Sequence, residues 1–186
     1  MNSKRTQTAG RTIVSLFAFL LLVIAVLGFA PTDSGEGNFG ADPEKGKPAA
    51  PGFTLKDLEG NAVSLSDFKG RVIYMDIWAS WCAPCIMQIN RSKSLKEHFR
   101  GEEDLVFLYV SIDQDTAKWK RFLEEREVSG THLISPKGEE EEILEKYNVP
   151  SIPRFILIDK DGNISDFHAK PPSNKSLIKD IEKLLL

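Results

Sequence analysis

The run Arg71-Val-Ile-Tyr-Met-Asp-Ile-Trp78 is apolar at nearly every position, and after three intervening residues comes Cys82-Ala83-Pro84-Cys85. A strand with no polar alternation needs cover on both faces, so it belongs in the middle of a sheet with helices packed against it. Pro84 suits the first turn of a helix, where its missing N–H is not needed, which puts the helix start near Ala83. The chain thus passes from a central strand through a short turn into a helix, and its only two cysteines lie at that junction.

Elements on either side follow the same logic. Phe53 to Gly60 and Ala62 to Leu65 flank a Glu-Gly-Asn turn and read as a β-hairpin. Leu105 to Ile112 is a second buried strand, followed by a helix over Thr116 to Glu127 with Trp119, Phe122 and Leu123 on one face. Glu139 to Tyr147 is a short helix with Ile143, Leu144 and Tyr147 inward and Glu139 to Glu142 as its solvated start. Phe155 to Ile158 and Asn163 to Phe167 form a hairpin around Lys160-Asp161-Gly162, and Ser173 to Leu186 closes the domain as an amphipathic helix. Alternation of strand and helix predicts an α/β domain over residues 51–186.

The amino terminus is of another kind. Residues 13–30 are an uncharged apolar run of eighteen residues behind Lys4, Arg5 and Arg11. That length reaches the roughly 17–25 residues of a spanning helix and exceeds the roughly 7–15 of a cleaved signal's apolar region. Pro31 directly after Ala30 would also hinder a signal peptidase. Residues 1–30 therefore read as a signal-anchor, and the positive flank puts everything after it outside the cytoplasm, on the cell membrane, or free in the periplasm if the segment is cut. Residues 31–50, with four Gly and three Pro and no apolar period, read as a flexible linker. The net charge of −3 argues against nucleic acid as a partner.

An oxidising compartment usually draws structural disulfides between distant cysteines, and a pair two residues apart is too local to staple a fold. The pair reads as functional. Cys82 at a helix amino terminus gains from the free N–H groups and the helix dipole, which favour its thiolate, while Cys85 lies one turn deeper and shielded. Cys82 would attack a partner disulfide and Cys85 would resolve the mixed disulfide, with Ala83 and Pro84 tuning the pair. Asp76 is the single charge inside the apolar strand, and a buried carboxylate with a raised pKa can accept the proton of Cys85. Trp81 abuts the nucleophile and shapes a docking surface, whereas Trp119 reads as core.

From Ala50 to Leu186 the chain resembles the thioredoxin superfamily, in particular the TlpA/ResA-like membrane-tethered thiol-disulfide oxidoreductases and their AhpC/TSA-redoxin-like domain. The resemblance is carried by Ala50-Pro-Gly-Phe-Thr-Leu55, Leu65-Ser-Asp-Phe-Lys-Gly70, Trp78-Ala-Ser-Trp-Cys-Ala-Pro-Cys85 and Val149-Pro-Ser-Ile-Pro-Arg-Phe-Ile-Leu-Ile-Asp159. It implies a thioredoxin fold, a central mixed sheet flanked by helices with an N-terminal β-hairpin extension. It also implies that Pro153 is a cis-proline facing the dithiol, that Ile152 backbone groups pair with the partner's extended chain, and that Asp76 matches the buried aspartate of thioredoxin. Protein disulfides as substrates, an upstream membrane thiol reductant and a part in cytochrome c maturation follow as expectations, with no cofactor beyond the Cys82–Cys85 pair. Gln88 and Asn90 depart from the glutamate and proline common in this branch.

Three competing readings stand beside this one. Half a zinc site lacks its complement, since there is no second Cys-x-x-Cys and His98, His132 and His168 are widely spaced. Copper(I) handling by the two thiolates, or a non-enzymatic binding module, is the second, though Met75 and Met87 offer no obvious third ligand. A thiol peroxidase is the third, and it would need the threonine of a Thr-x-x-Cys motif where this chain has Ala79.

Overall fold

In the computed structural model, which describes residues 46–135 and 140–186, the apolar run ahead of the cysteines forms β3, Val72–Trp78, buried at all seven positions. It is the hub of a seven-stranded mixed sheet. The other strands are β1 (Thr54–Lys56), β2 (Ala62–Ser64), β4 (Leu105–Ser111), β5 (Thr131–Ile134), β6 (Arg154–Ile158) and β7 (Ile164–Asp166), in spatial order β2-β1-β5-β4-β3-β6-β7. β3 pairs in parallel with β4 and antiparallel with β6, and β4 pairs in parallel with β5. The predicted hairpin β1–β2 joins the sheet through an antiparallel contact of β1 with β5. Its turn is held by Asp57, which accepts from Asn61 N at 2.8 Å and Asn61 Nδ2 at 3.0 Å.

Period-two alternation along β3 sorts the core into two layers. Ile73, Met75 and Ile77 join Leu108, Ile156, Ile143 and Tyr147 on one face. Val72, Tyr74 and Trp78 point to the other, where they meet the helices α1 (Ala83–His98), α2 (Thr116–Arg126) and α4 (Leu177–Leu185) through Leu95, Trp119 and Leu177. The short α3 (Glu140–Lys146) serves the first face. Helices on both sides of a central mixed sheet make this the thioredoxin fold that the resemblance implies, built on the α/β alternation read from the sequence.

Three differences from the sequence reading have plain causes. β5 was not anticipated, because its four residues Thr-His-Leu-Ile carry a polar residue at the second position. That residue, His132, is nonetheless buried, stacked on Tyr109 with ring centroids 4.9 Å apart. The last helix starts at Leu177, not Ser173: Asn174 Oδ1 accepts from both N and Oγ of Ser176, and this local turn competes with a helical start. Residues at the end of the expected linker already belong to the fold, since Ala50 N donates to Gly162 O at 2.9 Å and Ile164 N donates to Pro48 O at 2.8 Å. The apolar run 13–30 and the rest of the linker lie outside the described residues. Among the described residues no helix is long and apolar enough to cross a membrane.

Candidate active site

β3 ends at Trp78, and the turn Ala79–Cys82 reverses into α1, closed by Cys82 N donating to Ala79 O at 3.1 Å. Cys82 is the N-cap of α1: its backbone is extended and its sulfur accepts from Cys85 N at 3.3 Å. Pro84 falls in the first turn, as its missing N–H allows, and no acidic residue there offsets the helix dipole. The two cysteines are disulfide-bonded, with Cα atoms 5.3 Å apart. Cys82 keeps 5% of its surface exposed and Cys85 none. Any incoming group therefore meets Cys82 first.

Asp76 lies below this junction, 1% exposed, level with Tyr109 of β4 and Phe155 of β6. Neither carboxylate oxygen has a hydrogen-bond partner among the described residues. Burial holds its carboxyl well above the usual carboxylate range, and the Lys96 ammonium opposes that rise in part. Lys96 runs from α1 to donate to Ser129 O at 2.6 Å, with its ammonium 4.8 Å from the centre of the Tyr109 ring. Burial lowers the Lys96 pKa to about 8, and Asp76 works against that fall. The Tyr109 hydroxyl donates to Ser92 Oγ at 3.2 Å, and burial raises its pKa.

Around the dithiol, Trp81 is two-thirds exposed, and Ala83 and Pro84 are exposed as well. The Ile152–Pro153 peptide bond is cis, as the resemblance implies. Ile152 packs, partly buried, against the cluster that contains both cysteines. A groove of about 870 Å³ beside Trp81 is lined by Ser80, Asp113, Gln114, Asp115 and Lys118 among others. Gln88, half-buried on α1, accepts from Ser173 N at 3.3 Å and ties the helix to the segment before α4. No group of three or more His, Cys, Asp or Glu side chains could hold a metal ion among the described residues.

No role falls to Asp113 or Lys96 from the sequence alone, and His132 stands out there only as a histidine too widely spaced from the others for a zinc site. Asp113, 3% exposed, accepts from Ser80 N at 2.8 Å, Ser80 Oγ at 2.7 Å and Ser111 Oγ at 2.7 Å. A clue was available in an acidic residue just beyond the end of a central parallel strand, where loops at the strand ends carry function in α/β folds.

A mixed sheet with helices on both faces and a Cys-x-x-Cys disulfide capping the helix after its central strand defines the thiol-disulfide oxidoreductase class of thioredoxin-fold domains. The Redoxin family model matches residues 44–185. Thiol-disulfide oxidoreductase ResA of Bacillus thuringiensis is 30% identical over 115 residues, which is 62% of this chain and 64% of the relative, just under two thirds of its length. The thioredoxin-like protein YneN of Bacillus subtilis is 28% identical over 134 residues, 72% of this chain and 76% of the relative. A crystal structure from Bacteroides vulgatus, assigned to the thiol-disulfide oxidoreductases, is 40% identical with a TM-score of 0.66, covering 74% of this chain and 94% of that one. The chain belongs to the Redoxin family and is a TlpA/ResA-like member of the thioredoxin superfamily.

Proposed function

We propose that the protein reduces specific protein disulfides outside the cytoplasm, anchored by residues 13–30 and supplied with electrons by a membrane thiol reductant. The observation that carries the chemistry is the Cys82–Cys85 disulfide at the amino terminus of α1, with Cys82 keeping a small exposed fraction and Cys85 fully buried. In the reduced protein the Cys82 thiolate attacks one sulfur of a partner disulfide. A mixed disulfide forms and the partner's other sulfur leaves as a thiolate that takes up a proton. Cys85 loses its proton to Asp76 and attacks Cys82 Sγ, so the second partner sulfur leaves, the Cys82–Cys85 bond closes and two electrons have passed to the partner.

Trp81, Ala83 and Pro84 present the sulfur, and the backbone at Ile152 and cis-Pro153 serves as the edge on which a partner's extended chain docks. The apolar run with its positive flank supports the extracytoplasmic location. Cytochrome c maturation, where haem attachment requires reduced cysteine pairs, is the process we assign to it.

Trapping tests the proposal. In native membranes Cys85→Ser should accumulate mixed disulfides through Cys82, and identification of the trapped proteins gives the substrates. No trapped partner, together with tight copper(I) binding by the reduced wild-type protein, would overturn it. Equilibration with glutathione tests the direction, and a potential near the roughly −120 mV of a strong oxidant such as DsbA would contradict a reductant.

A further inference from the structure

We infer that Asp113 is a positioning residue for the dithiol, clamping the turn that carries Trp81 and Cys82 onto the end of β4. The inference rests on the proposed role of Cys82 as the attacking sulfur. Its starting point is the way three donors converge on one buried carboxylate. Asp113 Oδ2 accepts from Ser80 N and from the Ser111 hydroxyl, and Oδ1 accepts from the Ser80 hydroxyl. The carboxylate is itself fixed from behind, because Asp113 N donates to Ser111 Oγ at 3.0 Å.

The support for this clamp is rigid. Ile112 N donates to Trp78 O at 2.9 Å, which carries the β3–β4 ladder one step past the strands, and Ser135 N donates to Ser111 O at 3.0 Å from the β5 side. The turn it holds has far less of its own. Ser80 is half-buried, Trp81 is two-thirds exposed and so gains little from packing, and the bond from Cys82 N to Ala79 O spans the turn. Asp113 holds Ser80 at two points, its N–H and its hydroxyl, against the one bond from Cys82 N to Ala79 O.

The reaction gives the clamp a purpose. While Cys82 is joined to a partner, Cys85 must approach Cys82 Sγ in line, and the partner pulls on the turn through Trp81 and the new bond. A misplacement on the order of 1 Å can cost about 10²-fold in rate. Holding Ser80 at both its N–H and its hydroxyl keeps the backbone of Cys82 in register with the helix that carries Cys85.

The test compares reduced wild-type protein with Asp113→Ala, Asp113→Asn and Ser80→Ala, all under conditions where each is fully folded by circular dichroism. The substrate is a fluorophore-quenched peptide dimer joined by one disulfide, and the small probe is iodoacetamide. Asp113→Ala should reduce peptide disulfide by about 10-fold or more less efficiently in kcat/KM, while Cys82 alkylation changes less than about 2-fold, since a small alkylator needs no orientation. Asp113→Asn should recover most of the loss: its oxygen can take the place of Oδ2 and its amide can donate to Ser80 Oγ, which turns to accept. Ser80→Ala should fall between. If Asp113→Ala does not fold, the ranking of Ser80→Ala and Asp113→Asn decides. Equal kcat/KM for all folded variants, or equal losses in peptide reduction and alkylation, would overturn the clamp. Failure of wild-type protein to reduce the peptide would instead overturn the proposed function itself.

Discussion

Asp76→Asn isolates the buried carboxylate. The amide has nearly the same volume and does not titrate, so the pH dependence of the two proteins differs only through the charge of residue 76. Asp76 is 1% exposed with both oxygens unpartnered among the described residues, and burial raises its pKa well above the ordinary value of 3.8. In the unfolded chain that carboxyl ionises near 3.8, whereas in the folded protein it holds its proton to higher pH. Between those two values the folded state binds one proton more than the unfolded state, so wild-type stability falls as pH rises, by about 1.4 kcal/mol per pH unit. The variant lacks this loss. Urea unfolding of the oxidised proteins, in steps from pH 3 to pH 9, should give equal stability at the acid end. A difference in favour of Asp76→Asn should then grow with pH and level off once the folded carboxyl has ionised. A difference that stays flat would refute the buried, unpaired carboxylate. In the reduced proteins the same variant should slow closure of the Cys82–Cys85 bond and leave Cys82 alkylation nearly unchanged, as stopped-flow tryptophan fluorescence and mass spectrometry can follow.

His132 acts in the opposite sense. Burial lowers its pKa from about 6.5 to about 4 despite the 2.7 Å contact of Nε2 with Val128 O, so its contribution is present above pH 6.5 and is lost toward pH 4, about 3 kcal/mol in all. His132→Gln should flatten that acid loss in urea titrations. Because Asp76 and His132 oppose each other in one pH range, each must be read from its own variant and not from the wild-type curve. Trp81→Ala removes an exposed side chain, so stability should move by no more than about 0.5 kcal/mol while kcat/KM for a peptide disulfide falls; an unchanged kcat/KM would remove Trp81 from the docking surface. Ile156→Ala, at a fully buried position of β6, should cost about 2–5 kcal/mol by denaturant unfolding.

Much of the fold is written in local chemistry. The nearly continuous apolar runs 72–78 and 105–111 announce central strands, Pro84 marks the helix start, and Glu59-Gly60-Asn61 marks the first turn. Gly60 sits at φ 91, a conformation that costs other residues dearly. What could not be read is what depends on distant partners. His132 looks like a break in a strand until Tyr109 and Val128 are placed around it. Asp113 looks like a loop acid until the sheet brings Ser80, 33 residues away, within 2.8 Å. Lys96 belongs to a helix surface by its spacing, yet its ammonium is drawn over Tyr109 and toward Asp76. At the dithiol the local signal was strong because capping, proline placement and cysteine spacing all act within one turn.

The assignment of the attacking and resolving sulfurs can be measured on the reduced protein by alkylating it with isotope-coded iodoacetamide across pH and locating the label by mass spectrometry. Label should appear at Cys82 first, with a midpoint below the roughly 8.5 of a free thiol, and Cys85 should stay protected until the protein unfolds. Equal labelling of both cysteines, or preferential labelling of Cys85, would contradict that assignment.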